Sequence, residues 1–504
     1  MNTGKVWLVG AGPGDPGLFT VKGKEILGSA EVVVYDSLVG QGVLSQIPRE
    51  AKAINVGKRA SHHTMPQEKI NQVLVEEAKK GYRVVRLKGG DPFLFGRGGE
   101  ELELLTKEGI PYEVVPGVTS PIAVPAYNGI PVTHRDYTSS LHIITGHKRQ
   151  GEAYDIDFKA LVDTKGTLVF LMGVTALPDI CASLLAAGMD PEMPAAVLQQ
   201  GTTAGQKRIV STVAELPEEI KRQGVETPAI IVVGRVCALA DEFAWYEKLP
   251  LAGRKLLVTR PKDLISSMSA KLRALGAEVL ELPAIRTEPL EDQGELYQAF
   301  KELDTYDWAA FTSPTGVKVF FEEMLKTGTD IRKLAGIKIA AIGKGTQNAL
   351  KERGLIPDLV PEVYDGASLG KALREACRGG ERILIPRAKI GNHEILEELE
   401  QKPDLQISDI ATYDTLYENQ GIIDEKKEFE QGKIHCAVFT SASTVKGFVK
   451  ACPDLDYSKV TAACIGKQTK AAADAWGMKT YMAEKATIDS VLELVQRLEN
   501  NDMK

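Results

Sequence analysis

The chain has 504 residues, too many for one hydrophobic core, so two to four packing units are expected. With 43% apolar and 26% charged residues it has an ordinary globular balance, and its net charge of −7 gives no electrostatic reason to expect a nucleic-acid partner. The N-terminus lacks a basic signal segment and no apolar run approaches the roughly 20 residues that span a bilayer, so a cytoplasmic protein without membrane contact is expected.

The spacing of cysteine and histidine argues against a metal site. The six cysteines include no CxxC pair, and most lie in apolar stretches such as CAVFTS, which favour small buried thiols. The seven histidines show no HxH or HExxH spacing. The sequence therefore predicts no bound metal.

Strand-like apolar runs alternate with helix-length segments along the whole chain. Examples are KVWLVG, EVVVYD, RVVRLKGG, LHIITG, TLVFLMG and AIIVVGR. This rhythm predicts an α/β protein with mainly parallel sheets. Pro250 and Gly253 punctuate the chain before a fresh strand, so the boundary between two halves is predicted near 246–252, giving domains 1–247 and 252–504.

The second half contains an internal repeat. WAAFTSPTGVKVFF (from Trp308) resembles CAVFTSASTVKGFV (from Cys436), and KIAAIGKGTQNAL (from Lys338) resembles VTAACIGKQTKAA (from Val460), at offsets of 128 and about 123 residues. Such a long period predicts two similar α/β lobes. Lobe A is predicted at 252–287 plus 417–504 and lobe B at 288–416, with a ligand in the cleft between them.

The loop VGAGPGDPG after the first strand contains the spacing Gly12-x-Gly14-x-x-Gly17. This fits a dinucleotide-binding pattern, in which Asp36 could contact a ribose. Pro13 and Pro16 remove backbone N–H groups that would hold a pyrophosphate, so a nicotinamide cofactor is the less favoured alternative. A cofactor without phosphates, such as S-adenosylmethionine, suits the loop better.

A set of ordered motifs carries a specific resemblance. GAGPGDPGLFTVKG, VVVYDSLV, VGKR, RLKGGDPFLFGRGGEE, VVPGVTS, GIPVTHR and TGH resemble the uroporphyrinogen-III C-methyltransferases over roughly residues 4–245. The resemblance implies the tetrapyrrole methylase fold, with subdomains of about 1–135 and 136–247. It also implies that S-adenosylmethionine is bound at Pro13, Gly89, Gly90, Asp91, Leu94, Thr119, Ser120, Met172 and Gly201.

The same resemblance implies an acid–base pair. Asp36 matches the family's proposed proton acceptor and Lys58 its proposed proton donor. The methylated macrocycle must lose a proton, which requires a base. The alternatives are a helix cap for Asp36 and a solvated lysine. The substrate carries eight carboxylates, and the candidates to pair with them are Lys58, Arg59, Arg97, His134 and Arg135, each of which could instead form a surface ion pair.

The second half is similar to the uroporphyrinogen-III synthases in the order of its FTS, IG and Y-x-T motifs. The resemblance implies that Tyr413 assists departure of the hydroxyl of hydroxymethylbilane. It also implies substrate contacts at Ser441, Ser443 and Thr469, with Ser313 and Thr346 as their repeat equivalents. A helix cap for each serine or threonine and core packing for the tyrosine are the alternatives.

Together the two resemblances predict a bifunctional enzyme. It would cyclise hydroxymethylbilane to uroporphyrinogen III and methylate that product twice to give precorrin-2. The alternative is a methyltransferase fused to a bilobed tetrapyrrole-binding module without catalysis. Analogy with related methyltransferases suggests a homodimer through the first half. Each half exceeds two hundred residues, so each is expected to bury its own core and to act separately.

Overall fold

The computed structural model describes residues 3–57, 65–146, 156–259, 262–282, 285–391, 393–417 and 421–499. The described chain forms four five-stranded sheets with helices packed against them, which confirms the predicted α/β class. In the part of the chain that is described, no helix combines the length and apolar character needed to cross a bilayer.

The first sheet is parallel throughout. Its strands are β1 (Lys5–Gly10), β2 (Val32–Tyr35), β3 (Lys52–Asn55), β4 (Arg83–Lys88) and β5 (Tyr112–Val115), in the spatial order β3-β2-β4-β1-β5. The helices between and after them are α1 (Val21–Gly28), α2 (Gln41–Leu44), α3 (Gln67–Lys79), α4 (Gly98–Lys107) and α5 (Ser120–Tyr127). β1 and β2 are buried nearly throughout, as expected of continuous apolar runs covered on both faces.

The second sheet is mixed. Its strands are β6 (Leu141–Thr145), β7 (Thr167–Leu171), β8 (Pro194–Gln199), β9 (Lys207–Thr212) and β10 (Ala229–Val233), in the order β6-β7-β10-β8-β9. Its helices are α6 (Phe158–Asp163), α7 (Leu177–Ala186) and α8 (Leu216–Gln223). β10 runs antiparallel to both neighbours and β8 pairs antiparallel with β9, so this sheet departs from the mainly parallel pairing that was predicted for the chain and is found in the other sheets.

The remaining strands form two further sheets. They are β11 (Lys255–Thr259), β12 (Glu278–Leu282), β13 (Ile285–Pro289), β14 (Trp308–Phe311), β15 (Lys338–Ala341), β16 (Arg382–Ala388), β17 (Gln406–Tyr417), β18 (Cys436–Phe439), β19 (Thr461–Cys464) and β20 (Lys479–Met482). The helices are α9 (Lys262–Ala274), α10 (Gly294–Lys301), α11 (Pro314–Lys326), α12 (Lys344–Lys351), α13 (Gly366–Ala376), α14 (Glu394–Leu399), α15 (Glu425–Glu430), α16 (Ala442–Ala451), α17 (Lys467–Asp474) and α18 (Ile488–Glu499).

These sheets form the two lobes. Lobe A has the order β12-β11-β18-β19-β20 and lobe B the order β13-β17-β16-β14-β15. The repeated motifs occupy equivalent places, because β14–α11 corresponds to β18–α16 and β15–α12 to β19–α17. β13 pairs with β17, which places residues 285–287 in lobe B and not in lobe A as predicted.

One apolar cluster crosses the boundary between the halves. Val43 of α2 and Ile47, three residues after that helix, belong to the same buried cluster as Leu280 and Leu282 of β12. α2 packs against β12. Separating the halves would therefore expose apolar surface, and the expectation that each half folds and acts alone stays a prediction.

The cysteines follow the prediction of buried thiols. All six are buried and none forms a disulfide. Burial raises the pKa of the Cys237 thiol to about 12, so it stays protonated and unreactive near neutral pH.

A buried charge cluster lies beneath the first sheet's carboxyl-terminal edge. Glu101 of α4 is fully buried, and its Oε1 accepts from Arg86 Nε at 3.1 Å and from Lys88 Nζ at 2.8 Å. Arg86 and Lys88, both on β4, are themselves 3% and 4% exposed. Burial and the neighbouring Arg86 lower the pKa of Lys88, although Glu101 opposes this. Glu101 is thus the fully buried counter-charge of two buried cations.

We predict that Glu101→Gln destabilises the first half by about 3 kcal/mol or more, because breaking a buried ion pair leaves uncompensated charge. Urea unfolding followed by circular dichroism measures the change. Glu100→Gln is the matched control, since that neighbouring side chain is 49% exposed and its ion pair with Arg97 contributes little. Equal stability of the two variants would contradict the assignment.

Candidate functional site

The carboxyl-terminal ends of β1, β4 and β5 approach one another closely. Gly12 N donates to Gly90 O at 3.2 Å, and Gly90 N donates to Gly12 O at 2.8 Å. A Cβ on Gly117 would lie 2.2 Å from Gly90 O and one on Gly10 would lie 2.6 Å from the same atom, so both positions exclude a side chain. The half-buried Pro13 therefore lies at an edge built from backbone.

Asp91 organises this edge. Its Oδ1 accepts from the amides of Phe93 and Leu94 at 2.8 and 3.1 Å, and its Oδ2 accepts from Gly117 N at 3.0 Å. Both carboxylate oxygens thus tie the loop after β4 to the loop after β5. In this structure both carboxylate oxygens of Asp91 are therefore engaged in holding these two loops together.

A loop of the second subdomain closes on the same edge. Thr202 Oγ1 accepts from Asp15 N at 3.2 Å, and Tyr127 Oη donates to Asp15 Oδ2 at 2.7 Å. A Cβ on Gly201 would lie 2.4 Å from Val124 Cγ1. Gly201 is therefore required for packing on α5, and the cofactor contact expected of it stays a prediction.

The other predicted cofactor residues surround this edge. Gly89 has a packing role like that of Gly201, because a Cβ there would lie 2.6 Å from Leu38 Cβ. Thr119 precedes α5 and Ser120 is its first residue, and both are half-buried. Met172 follows β7 and is 54% exposed.

Strained backbone is concentrated in these loops. Five of the described non-glycine residues with positive φ, between 42° and 69°, lie in them: Phe95, Arg97, Met172, Gln200 and Thr202. Such conformations cost of order 1–3 kcal/mol each and persist where the surrounding structure holds them, commonly at active sites. Gly90 also has a positive φ of 67°, with no heavy atom within 4 Å of the position of a Cβ. The loops thus leave open space beside the Gly90 backbone.

Asp36 lies directly after β2 and is held by two contacts. Its Oδ1 accepts from Leu38 N at 3.1 Å, and its Oδ2 lies 3.3 Å from Arg86 Nη2. The carboxylate side chain is 24% exposed. The helix-cap alternative is wrong, because Gly40 is the N-cap of α2. The partly exposed carboxylate is therefore held in a defined position at the end of β2.

The predicted substrate-binding cations of the first half have different surroundings. Lys58 and Arg59 lie outside the described residues. Arg97 is exposed and forms a two-point ion pair with Glu100 at 2.8 and 2.5 Å. The half-buried His134 Nδ1 accepts from Asp136 N at 3.2 Å, and Arg135 is exposed. In this conformation Arg97 therefore forms a surface ion pair, which is the alternative to pairing with a substrate carboxylate.

In lobe B the structure brings two predicted residues together. Tyr413 Oη and Ser313 Oγ are 2.8 Å apart, and Ser313 Oγ also accepts from Gly316 N at 2.8 Å, which caps α11. Tyr413 is 6% exposed, and burial raises the pKa of its hydroxyl. The hydroxyl therefore stays protonated and can donate a hydrogen bond.

The predicted residues of lobe A lie at helix starts. Ser441 caps α16, and its Oγ is 2.8 Å from Ser443 Oγ. Thr469, in the first turn of α17, is 4% exposed, and its repeat equivalent Thr346 in α12 is 2% exposed. Neither threonine is open to a ligand in this conformation.

A polar contact joins the two lobes. Gln468 Nε2 of lobe A donates to the Glu394 carboxylate of lobe B at 2.9 and 3.2 Å. Gln468 is the residue before Thr469 in the IGKQT motif. The lobes therefore approach each other beside the motif that the sequence singled out.

The residues that support the loops of the site are not among those predicted from the sequence. Asp15, Thr202, Arg86 and Glu101 hold the loops or charges of the first half, yet none was singled out. Arg86 and Glu101 stand in the runs RLK and GGEE, before and after the GGDP motif, so both charges are visible in the sequence. Which charges pair is decided by tertiary packing.

Comparison with known proteins agrees with the two-part organisation. Residues 5–217 match the family model described as tetrapyrrole (corrin/porphyrin) methylases, and residues 266–493 match the model described as uroporphyrinogen-III synthase HemD. The chain is 45% identical over 493 residues to a porphyrin biosynthesis protein HemD from Ruminiclostridium josui, covering 98% of each chain.

Two further relatives cover less of the chain. It is 40% identical over 357 residues to a uroporphyrinogen-III C-methyltransferase from Bacillus subtilis (strain 168), covering 71% of this chain and 73% of that one. The solved structure of a uroporphyrin-III C-methyl transferase from Thermus thermophilus, complexed with S-adenyl homocysteine, is 39% identical with a TM-score of 0.41, covering 47% of this chain and 99% of that one. With near-complete coverage of the HemD relative, the chain belongs to the family of porphyrin biosynthesis proteins that join a tetrapyrrole methylase region to a uroporphyrinogen-III synthase region.

Proposed function

We propose that the second half cyclises hydroxymethylbilane to uroporphyrinogen III and that the first half methylates this product twice, giving precorrin-2. The observation that carries the proposal is the tandem match to both families in one chain, together with a relative of the same length. A homodimer through the first half is part of the same proposal.

The cofactor proposed for the first half is S-adenosylmethionine. When bound, it supplies an electrophilic methyl group on positive sulfur. The residues present fit this cofactor, because Gly90 faces open space at an edge made of backbone groups. The residues proposed to contact it are Pro13, Gly89, Gly90, Asp91, Leu94, Thr119, Ser120, Met172 and Gly201, of which Gly89, Asp91 and Gly201 also shape the loops.

Asp36 is proposed to take the proton that the methylated macrocycle must lose. Its carboxylate lies at the end of β2, and Arg86 and the Leu38 amide hold it in one orientation. A base that is already held in position loses little orientational entropy when it reacts. Lys58 is the proposed proton donor, and Arg59, Arg97, His134 and Arg135 are proposed to pair with substrate carboxylates. For Arg97 this means exchanging Glu100 for the substrate.

We expect Asp36→Asn to bind the cofactor normally and to lower methyltransferase kcat by about 10²- to 10⁴-fold, the usual contribution of a general base. Calorimetry with S-adenosylhomocysteine and a turnover assay with uroporphyrinogen III measure the two effects. Asp163→Asn, which changes an exposed side chain on α6 paired with Lys159, is the control and should keep wild-type turnover. A wild-type rate for Asp36→Asn would rule out its role as the base.

In the synthase half, the chain has chiefly to fold hydroxymethylbilane for the less favoured ring closure. Loss of hydroxyl from such a pyrrole is easy, so a neutral donor suffices. Tyr413 is proposed to donate to the departing hydroxyl while Ser313 orients the phenol. Ser441, Ser443, Thr346 and Thr469 are proposed to contact the substrate, the two threonines after the lobes open.

Tyr413→Phe should slow formation of uroporphyrinogen III by about 10- to 100-fold and preserve the fold, because it removes one transition-state hydrogen bond. The assay subtracts uroporphyrinogen I formed spontaneously. Tyr306→Phe is the matched control, since Tyr306 is also buried in lobe B and its hydroxyl also bonds to a serine, Ser408, at 3.0 Å. If both variants had the same rate, Tyr413 would have no part in the reaction.

A further inference from the structure

A buried lysine of lobe A reaches across the boundary between the halves. Lys255 begins β11 and is 7% exposed. Its Nζ donates to Glu428 Oε2 at 2.6 Å and lies 3.1 Å from Glu278 Oε1, both in lobe A. It also donates to Gln41 Oε1 of α2, in the methyltransferase half, at 2.6 Å. Burial opposes the charge, but Glu278 and Glu428 outweigh it and raise the pKa of Lys255, so the cation is retained.

The second oxygen of Glu278 binds the loop that closes the methyltransferase cleft. Oε2 accepts from Ala204 N at 2.8 Å. Ala204 is three residues after Gly201, in the loop that also holds Gln200 and Thr202 at φ of 42° and 69°. Strained residues persist only where neighbouring contacts hold them. One such contact comes from the synthase half.

A second set of contacts reaches the same cleft. Tyr246 Oη donates to Gly276 O of lobe A at 3.1 Å. The Tyr246 ring packs against Tyr127 with centroids 5.1 Å apart, and Tyr127 bonds to Asp15 in the loop after β1. Lobe A thus supports both the loop after β1 and the loop after β8.

Gln41 connects lobe A to the loop of the proposed base. Four residues separate it from Asp36, and one of them, Gly40, packs so tightly that a Cβ there would lie 2.5 Å from Gly14 O. A contact that fixes the start of α2 therefore also limits movement of the loop after β2.

From these contacts we infer that lobe A of the synthase is a structural part of the methyltransferase site, with Glu278 as a positioning residue that holds the 200–206 loop for cofactor binding. The inference rests on the proposed function, since it assigns the cofactor to that loop. Glu278 touches no reacting atom, so its effect should appear in cofactor affinity and in the exchange of loop amides.

Three variants of Glu278 in the full chain separate the effect of its side-chain length from the effect of its charge. E278Q keeps an oxygen that can accept from Ala204, E278D keeps the charge for Lys255 but is one methylene too short, and E278A loses both. We expect the Kd for S-adenosylhomocysteine to rise about 5-fold in E278D and E278A and less than about 2-fold in E278Q, as loss of one hydrogen bond implies. The backbone amides of residues 199–207 should also exchange hydrogen faster in E278D and E278A than in E278Q.

Glu281→Ala is the matched control, because Glu281 lies on the same strand and pairs with Arg273 within lobe A at 2.7 Å. It should leave both readouts unchanged, and all variants should keep wild-type synthase rates. If E278A fails to fold, the difference in Kd between E278D and E278Q tests the role of Glu278.

The outcomes separate this inference from the proposed function. A wild-type chain that does not bind S-adenosylhomocysteine would overturn the proposed function. A wild-type chain that binds it, with E278D indistinguishable from wild type or with E278Q weaker than E278D, would overturn the role of Glu278 alone.

Discussion

Parallel strands end at one edge of a sheet, and this constraint places many of the candidate site residues of the protein. Ligands of open α/β sheets bind outside the carboxyl ends of the strands, where loop backbone is free to face them. Asp36 follows β2, Asp91 follows β4, and Ser313 and Ser441 follow the equivalent strands β14 and β18. Other candidates are placed differently: Tyr413 lies within β17 and contacts Ser313, and Gly201 follows the antiparallel strand β8. The strands only determine where each loop begins. The reactions therefore depend on the contacts that hold the loops in place.

The loops of the first half are held by two kinds of contact. Within the half, Asp91 accepts from backbone amides, the Asp15 amide donates to Thr202 Oγ1, and the buried Glu101 pairs with Lys88 and with Arg86, which contacts Asp36. From the other half, Glu278 and Lys255 bind the loops on either side of the cleft. The apolar cluster shared by α2 and β12 makes these polar contacts persistent, because it removes water from between the halves. The fusion thus has a structural consequence as well as raising the local concentration of one active site near the other.

Sequence reasoning predicted the two-part organisation and the paired lobes because the motifs repeat in order. It did not predict the antiparallel β10, since AIIVV and TLVFL are equally apolar and neither shows strand direction. It placed the lobe crossing three residues late because IRTEP carries no signal of which sheet it joins. It could not show that Gly201 packs against Val124, because Val124 is distant in sequence and the contact exists only in the fold. The residue roles at both sites stay predictions.

The central claim is that one chain performs both reactions in succession. Incubating the intact protein with hydroxymethylbilane and S-adenosylmethionine labelled with ¹³C in its methyl group tests it most directly. The account predicts a dimethylated product with the type III arrangement of the inverted ring, identified as precorrin-2 by mass and ¹³C resonance. Labelled products built only on the type I isomer would show that the second half does not invert the ring. Unlabelled uroporphyrinogen III would show that the first half does not transfer methyl groups, and either result would contradict the account.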